Sequence, residues 1–162
     1  MYGLRIAFVG KSRSGKTTSA NYLLRTYGFV KISFTGKLIE FAHEFFPDRF
    51  EKGEKPQDLI QAMHEKLREI EPDIWIKYVT RKIETLPKDA DIVIDDLRHR
   101  NDYAAVKSLG FLVVRLNPSN EDDLPYDILL ENEGTVEDLY HKLDALIKLL
   151  ICLLYTSDAA DE

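Results

Sequence analysis

Cysteine is almost missing from this chain: of 162 residues, one is cysteine, Cys152. A disulfide framework is thereby excluded, and residues 1–151 offer no thiolate nucleophile and no cysteine-based metal site. Long apolar runs are missing too. None approaches the roughly 20 residues that a membrane span needs, so no membrane association is expected. The N-terminus, Met1-Tyr2-Gly3-Leu4-Arg5, lacks a signal-peptide layout, and a cytoplasmic location is the expectation. There is no basic tract: 22 Lys and Arg stand against 28 Asp and Glu, a formal net charge of −6. Binding duplex nucleic acid without sequence preference rests on many Lys/Arg–phosphate contacts, so nucleic acid is not an expected partner. An acidic chain that binds an anion must build the site locally. Internal repeats and low-complexity segments are absent as well. What is present is ordinary for a soluble globular protein, 44% hydrophobic and 31% charged residues. The length suits one domain, large enough to bury about 70% of its unfolded surface.

The patterning alternates strands with helices. Leu4 to Val9 is a short apolar run ending at Gly10 and reads as a buried strand. From Lys16, the residues Ala20, Leu23, Leu24 and Tyr27 keep helical spacing until Gly28. Residues 29–33 predict a second strand, and 34–46 a helix closed by Pro47. Residues 48–56 read as a loop. Two more helices follow, one carrying Leu59, Ile60, Met63, Leu67 and Ile70, the other Ile74, Tyr78 and Ile83. Strands are predicted at 91–94, 111–116 and, more weakly, 126–130, with a helix around Ala104, Ala105 and Leu109. Thr135 reads as an N-cap with Asp138 three residues on, ahead of a long apolar stripe from Val136 to Leu150. Continuously apolar strands separated by helices imply a parallel sheet covered on both faces. Residues 37–86 hold only helices and read as an insertion that stands off the sheet on the substrate side.

One motif carries specific chemistry. Gly10-Lys11-Ser12-Arg13-Ser14-Gly15-Lys16-Thr17 fits G-x-x-x-x-G-K-[ST] between an apolar strand and an amphipathic helix. Its glycines let the backbone wrap a phosphate with N–H groups inward, and the helix N-terminus adds partial positive charge. Lys16, taken as a solvent-facing residue at the loop's end, reaches the β- and γ-phosphates, and the Thr17 hydroxyl ligates Mg²⁺. Arg13 lies on a phosphate or is solvated. The third strand runs into Asp95-Asp96-Leu97-Arg98. An acid at that strand end is placed to hold Mg²⁺, and if strand geometry persists only one of Asp95 and Asp96 points into the cleft. Arg98 and Arg100 sit at the same edge, placed to neutralise phosphoryl charge. His99 reads as plain surface, and Glu121-Asp122-Asp123 as a solvated acidic loop. Trp75 reads first as a packing residue. With Lys37, Arg68 and Lys77 it is also a source of charge and a flat face for an acceptor in the insertion.

These residues resemble a known group, the P-loop nucleoside monophosphate kinases, and most closely the phage-type deoxynucleoside monophosphate kinases. The likeness spans most of 4–150. It rests on the P-loop with its internal arginine through Thr18, on Gly28-Phe29 with Ser33-Phe34 and Lys37-Leu38, and on Lys55-Pro56 through Arg68. It continues in Asp73-Ile74-Trp75-Ile76, Asp96-Leu97-Arg98, and Asp127, Asn132, Gly134 and Thr135. The resemblance implies a three-layer α/β/α P-loop NTPase fold with a five-stranded parallel sheet of order 2-3-1-4-5. It implies ATP as phosphoryl donor, Mg²⁺ held by Thr17 and Asp96, and a (deoxy)nucleoside monophosphate as acceptor. Lys16, Asp96 and Arg98 take the catalytic roles. Gly10, Lys11, Ser12, Arg13, Ser14, Gly15, Lys16, Thr17 and Thr18 bind the donor, and Asn132 lies near its adenine. A homodimer is compatible with it. The group's arginine-bearing lid between the fourth and fifth strands has no match here, since 117–125 hold no Lys or Arg and three acids: either the lid is reduced to a loop or part of the coding sequence is absent. A kinase for another small acceptor, such as dephospho-coenzyme A, and a nucleotide-binding regulatory module are the alternatives.

The ending Cys152-Leu153-Leu154-Tyr155-Thr156-Ser157-Asp158-Ala159-Ala160-Asp161-Glu162 resembles a translated transposase-type sequencing adapter over all eleven residues. The domain is therefore expected to be 1–151, with 152–162 outside its fold. Without the tail's three acids the net charge is −3.

Overall fold

The computed structural model describes residues 3–53, 55–119 and 124–160. The apolar runs become parallel strands: β1 (Arg5–Val9), β2 (Val30–Ile32), β3 (Ile92–Ile94), β4 (Leu112–Leu116) and β5 (Ile128–Leu130). The periodic segments become α1 (Lys16–Tyr27), α2 (Phe34–Phe45), α3 (Gln57–Ile70), α4 (Ile74–Glu84), α5 (Arg100–Ser108) and α6 (Val136–Ala160). The sheet order is β2-β3-β1-β4-β5 with every pair parallel, as the resemblance implies. Ile6 lies opposite Val93 on one side and Leu112 on the other, which puts β1 and the loop after it at the centre of the sheet.

Side chains alternate across β1 and so divide the core into two layers. Ile6 and Phe8 pack with Leu23 of α1 and with Leu139, Leu143 and Ile147 of α6. Ala7 and Val9 pack with Leu38 of α2, Trp75 and Val79 of α4, and Val106 of α5. The caps follow the sequence. Gly28, at φ +73°, ends α1 in the left-handed conformation that a side chain disfavours. At the start of α6 the Thr135 N–H donates to the Asp138 carboxylate (3.0 Å) and the Asp138 N–H to the Thr135 hydroxyl (3.1 Å), a capping box with aspartate in the third position.

Two expectations change, and one lies beyond the described residues. The segment read as loop from 48 opens with a 3-10 turn, Pro47–Phe50, because proline at its first position presets φ. The helical insertion does not stand off the sheet as a unit. Trp75 and Val79 are 1% and 0% exposed in the main core, so α4 covers a sheet face, and α3, with only Ile60 buried, is the outward helix. The acidic loop 121–123 falls outside the described residues.

Helix α6 runs on through Cys152 to Ala160, with Ile151, Cys152 and Leu153 exposed. Its buried contacts come from Leu139, Leu143, Leu146 and Ile147. Deleting 152–162 is expected to move the thermal midpoint by less than about 3 °C, under about 1 kcal/mol for a domain of this size. Differential scanning fluorimetry of the two proteins checks this, and a larger fall would show that the tail packs.

Candidate active site

The loop between β1 and α1 has a backbone shape suited to cradling a phosphate. Gly10 and Gly15 hold φ of +153° and +107°, and Arg13 holds +66°, conformations that glycine adopts freely and arginine only at some cost. Gly15 caps α1 without a side-chain hydrogen bond, and the first turn carries no acid. The amides of that turn are thus left for an outside anion. The Lys16 ammonium donates to the Gly10 carbonyl (2.6 Å), across the mouth of the loop. Lys16 is 8% exposed and not solvent-facing, because its stem lies along the loop it closes. Ser12, Arg13, Gly15, Lys16, Thr17 and Thr18 line a cavity of about 510 Å³. Gly10, Lys11 and Ser14 do not line it. They shape the loop from behind, where the Ser14 N–H donates to the Lys11 carbonyl (3.1 Å) and a side chain on Gly10 would strike Ser14.

The opposite wall carries Asp95 and Asp96, both buried and both facing this cavity. Alternation does not force a choice between them, because β3 stops at Ile94. The Thr35 N–H donates to Asp96 Oδ2 (2.9 Å), and Lys31 Nζ stands 3.8 Å from Asp95 Oδ2. Each keeps one buried Oδ1 with no hydrogen-bond partner. Burial and the neighbouring Asp95 charge push the Asp96 carboxyl up to about 6, against the Thr35 N–H that pulls it down. Two buried carboxylates lining the same cavity as Thr17 suit Mg²⁺, which takes one or two carboxylates and fills its other positions with phosphate and water. The same cavity gathers Arg13, Lys16, Lys31, Lys55 and Arg98 against those two acids. A net positive hollow in an acidic protein is what a locally built anion site would require.

A second cavity, of about 440 Å³, shares the wall formed by Thr35, Gln57, Ile60, Asp96 and Arg98. Beyond that wall it is lined by His64 and Arg68 of α3, by Trp75 and by His99. Arg68 is held there by Asp102 of α5: Nη2 donates to Oδ2 at 2.7 Å, and the carboxylate is almost fully buried. Of the four insertion residues singled out for an acceptor, Arg68 and Trp75 reach this cavity. Lys37 pairs with Glu40 and Lys77 with Glu71. Trp75 contributes to the cavity floor from within the core and stacks on no open face; its indole N–H has no hydrogen-bond partner of standard geometry. Arg100 lines neither cavity and begins α5. His99, read as plain surface, is part of the wall.

The sequence reading passed over His64 and Asp102. Both sit on amphipathic helices, where spacing shows which face is buried but not what that face meets. The His64 ring lies 3.0 Å from the Thr35 hydroxyl and edge-on to Phe34. Burial, then the charges of Arg98 and Arg68, lower its pKa from 6.5 to about 4, so it is neutral near pH 7. The unfolded chain binds the proton more tightly than the folded one. The stability tied to this group is therefore complete above pH 6.5 and is lost as pH falls towards 4. Urea unfolding at pH 7 and pH 5 checks this: His64→Gln should shrink the acid-induced drop, and an unchanged drop counts against it.

Asn132 meets the P-loop. Its side-chain amide donates to the Ser14 carbonyl (2.9 Å), and a Cβ on Gly15 would come within 2.6 Å of that nitrogen. Among the described residues, no helix is long and apolar enough to cross a membrane.

Comparison with known proteins places this arrangement in a class. The structure superposes on an APS kinase from Mycobacterium tuberculosis with a TM-score of 0.53 at 15% identity, covering 91% of this chain and 98% of that one. It also superposes on the protein TT1252 from Thermus thermophilus with a TM-score of 0.54 at 18% identity, covering 93% and 99%. With its sheet order and loop, the chain has a three-layer α/β/α P-loop fold. In sequence it is similar, at 26% identity over 85% of this chain and 93% of the other, to a protein of Acanthamoeba polyphaga mimivirus that carries the provisional name deoxynucleotide monophosphate kinase. It is 25% identical to the uncharacterized protein ORF76 of Ictalurid herpesvirus 1 (strain Auburn), covering 88% of this chain and 64% of that protein. No family model matches the chain.

Proposed function

We propose that this protein transfers the γ-phosphoryl group of ATP to a (deoxy)nucleoside monophosphate, yielding ADP and the nucleoside diphosphate. The observation that carries this reading is the shared wall: a P-loop cavity and an arginine-bearing cavity meet at Asp96 and Arg98. The name of the mimivirus relative supports the choice of acceptor.

The chain's own residues act by position and charge. The P-loop amides and Lys16 hold the donor's β- and γ-phosphates. Arg68, steadied by Asp102, holds the acceptor phosphate in the second cavity. An acceptor phosphate oxygen attacks the γ-phosphorus in line, and the bond to the β–γ bridging oxygen breaks with its electrons leaving on ADP. Arg98, on the shared wall, meets the charge that builds on the moving group. Thr17 and Asp96, with Asp95 beside it, would hold Mg²⁺, which would supply charge neutralisation for the donor's phosphates. Neutral His64 and the amides of Gln57 and Gln61 give the rest of the acceptor cavity uncharged polar groups that can meet a base, and Glu65 adds one carboxylate beside them.

A coupled ADP-release assay tests the reading across deoxynucleoside and nucleoside monophosphates, with dephospho-coenzyme A and a no-acceptor control. Stimulation by a nucleoside monophosphate supports it. Stimulation by dephospho-coenzyme A alone moves the protein to the other small-acceptor kinases, and binding of ATP without any release makes it a regulatory module. At saturating Mg²⁺, Asp96→Asn is expected to cut turnover more than Asp95→Asn, because the Thr35 N–H fixes Asp96 towards the donor while Lys31 already offsets Asp95. The reverse ranking would give Asp95 the metal-side role.

A further inference from the structure

We infer that Asn117 and Asn132 form a brace that sets the P-loop in its phosphate-binding conformation, making both of them positioning residues for the donor. The inference rests on the donor half of the proposed function and adds residues from the far ends of two strands.

The brace begins where β4 ends. The Asn117 N–H donates to the Leu130 carbonyl (2.9 Å), the last backbone link between β4 and β5. Asn117 then turns the chain away at φ +66°, a left-handed conformation that asparagine tolerates better than most residues. Its side-chain amide continues the ladder in place of the departed backbone. Oδ1 accepts from the Asn132 N–H (2.6 Å) and Nδ2 donates to the Asn132 carbonyl (3.2 Å). Both main-chain groups of Asn132 are thus gripped by one side chain, which fixes where the Asn132 side chain can point.

It points at the P-loop, 118 residues earlier in the chain, and donates to the Ser14 carbonyl. That contact sets the direction of a peptide plane. In a trans peptide the C=O and the following N–H point opposite ways. With the Ser14 oxygen captured on the Asn132 side, the Gly15 N–H is turned to the opposite side, towards the cavity that Gly15 lines. A phosphate cradle needs every amide in that sense, since one inverted peptide would present a carbonyl oxygen to an anion. The Ser14–Gly15 peptide is open to inversion, because Gly15 at φ +107° has no side chain to resist it. The brace thus restrains the peptide that the glycine leaves free. The same close approach forbids a side chain at Gly15, where a Cβ would meet Asn132 Nδ2 at 2.6 Å.

A base-reading role for Asn132 and the brace predict different binding patterns. The test measures binding of ATP and of inorganic tripolyphosphate, both with Mg²⁺, by calorimetry to wild type, Asn132→Ala, Asn132→Asp and Asn117→Ala. The brace predicts that Asn132→Ala weakens both ligands by the same factor, about tenfold for one lost charge-directing hydrogen bond. Asn132→Asp keeps the shape but sets a carboxylate against the Ser14 carbonyl, and should weaken both further. Asn117→Ala should weaken both in the same ratio, with the KM for the acceptor unchanged in all three. Loss of ATP binding with tripolyphosphate binding intact would make Asn132 a base-reading residue and overturn the brace. So would unchanged affinity for both ligands in the folded Asn132→Asp protein. A wild type that binds both ligands yet transfers nothing to any monophosphate would defeat the proposed transfer and leave the brace standing.

Discussion

Lys16→Ala is expected to lower turnover by about a thousandfold or more, the scale of losing a donor aimed at developing phosphoryl charge. The Lys16 ammonium spans the loop to the Gly10 carbonyl, inside the cradle that the donor's phosphates would fill. Because Lys16 is buried and its stem packs along the loop, Lys16→Met is the better control. It keeps most of the stem, removes the charge, and should match alanine in turnover while melting nearer to wild type. Single-turnover kinetics at saturating ATP separate chemistry from binding. Wild-type turnover by either folded variant would sink the transfer mechanism.

Asp102→Ala is expected to strike stability and the acceptor site together. It leaves the Arg68 guanidinium in a part-buried site without its partner, and breaking such a pair costs about 3–5 kcal/mol. For a domain of this size that corresponds to a fall in thermal midpoint on the order of 10 °C. Arg68→Ala leaves the Asp102 carboxylate, 4% exposed, without a counter-charge and should destabilise by a similar amount. The two differ from a purely structural pair in kinetics. Asp102→Asn, which can still accept from Arg68, should fold and raise the KM for the monophosphate several-fold with the KM for ATP unchanged. Arg68→Met with Asp102→Leu should recover stability without recovering acceptor binding. If that double variant phosphorylates a monophosphate at the wild-type KM, Arg68 is a strut between α3 and α5 and nothing more.

How much of this could be read in advance depended on separation along the chain. The strands at β1, β3 and β4, the helices, the Gly28 stop and the Thr135–Asp138 cap all depend on residues within about four positions of each other. The alternation of buried strands and amphipathic helices then left a parallel α/β sheet as the one way to cover both faces. The phosphate loop was equally plain, since its glycines, lysine and threonine are contiguous and dictate backbone shape directly. The strand order came from family resemblance, and the structure agrees with it.

The groups that complete the site are far apart in sequence. Arg68 meets Asp102 across 34 residues, Thr35 meets Asp96 across 61, and Asn132 meets Ser14 across 118. Such pairs leave no periodic trace, because a helix or strand forms equally well whatever its far partner is. Even the neighbours Asp95 and Asp96 could not be assigned from alternation, which lapses where β3 stops at Ile94. The residue pattern on its own determined the layered sheet and the backbone shape of the glycine-rich loop after its first strand. Folding decided which acids and arginines face that loop, that His64 is buried beside Arg68 and Arg98, and that an asparagine after one strand reaches the loop after another. The first set depends on local backbone preference and burial period; the second depends on which side chains long-range packing brings within hydrogen-bond reach.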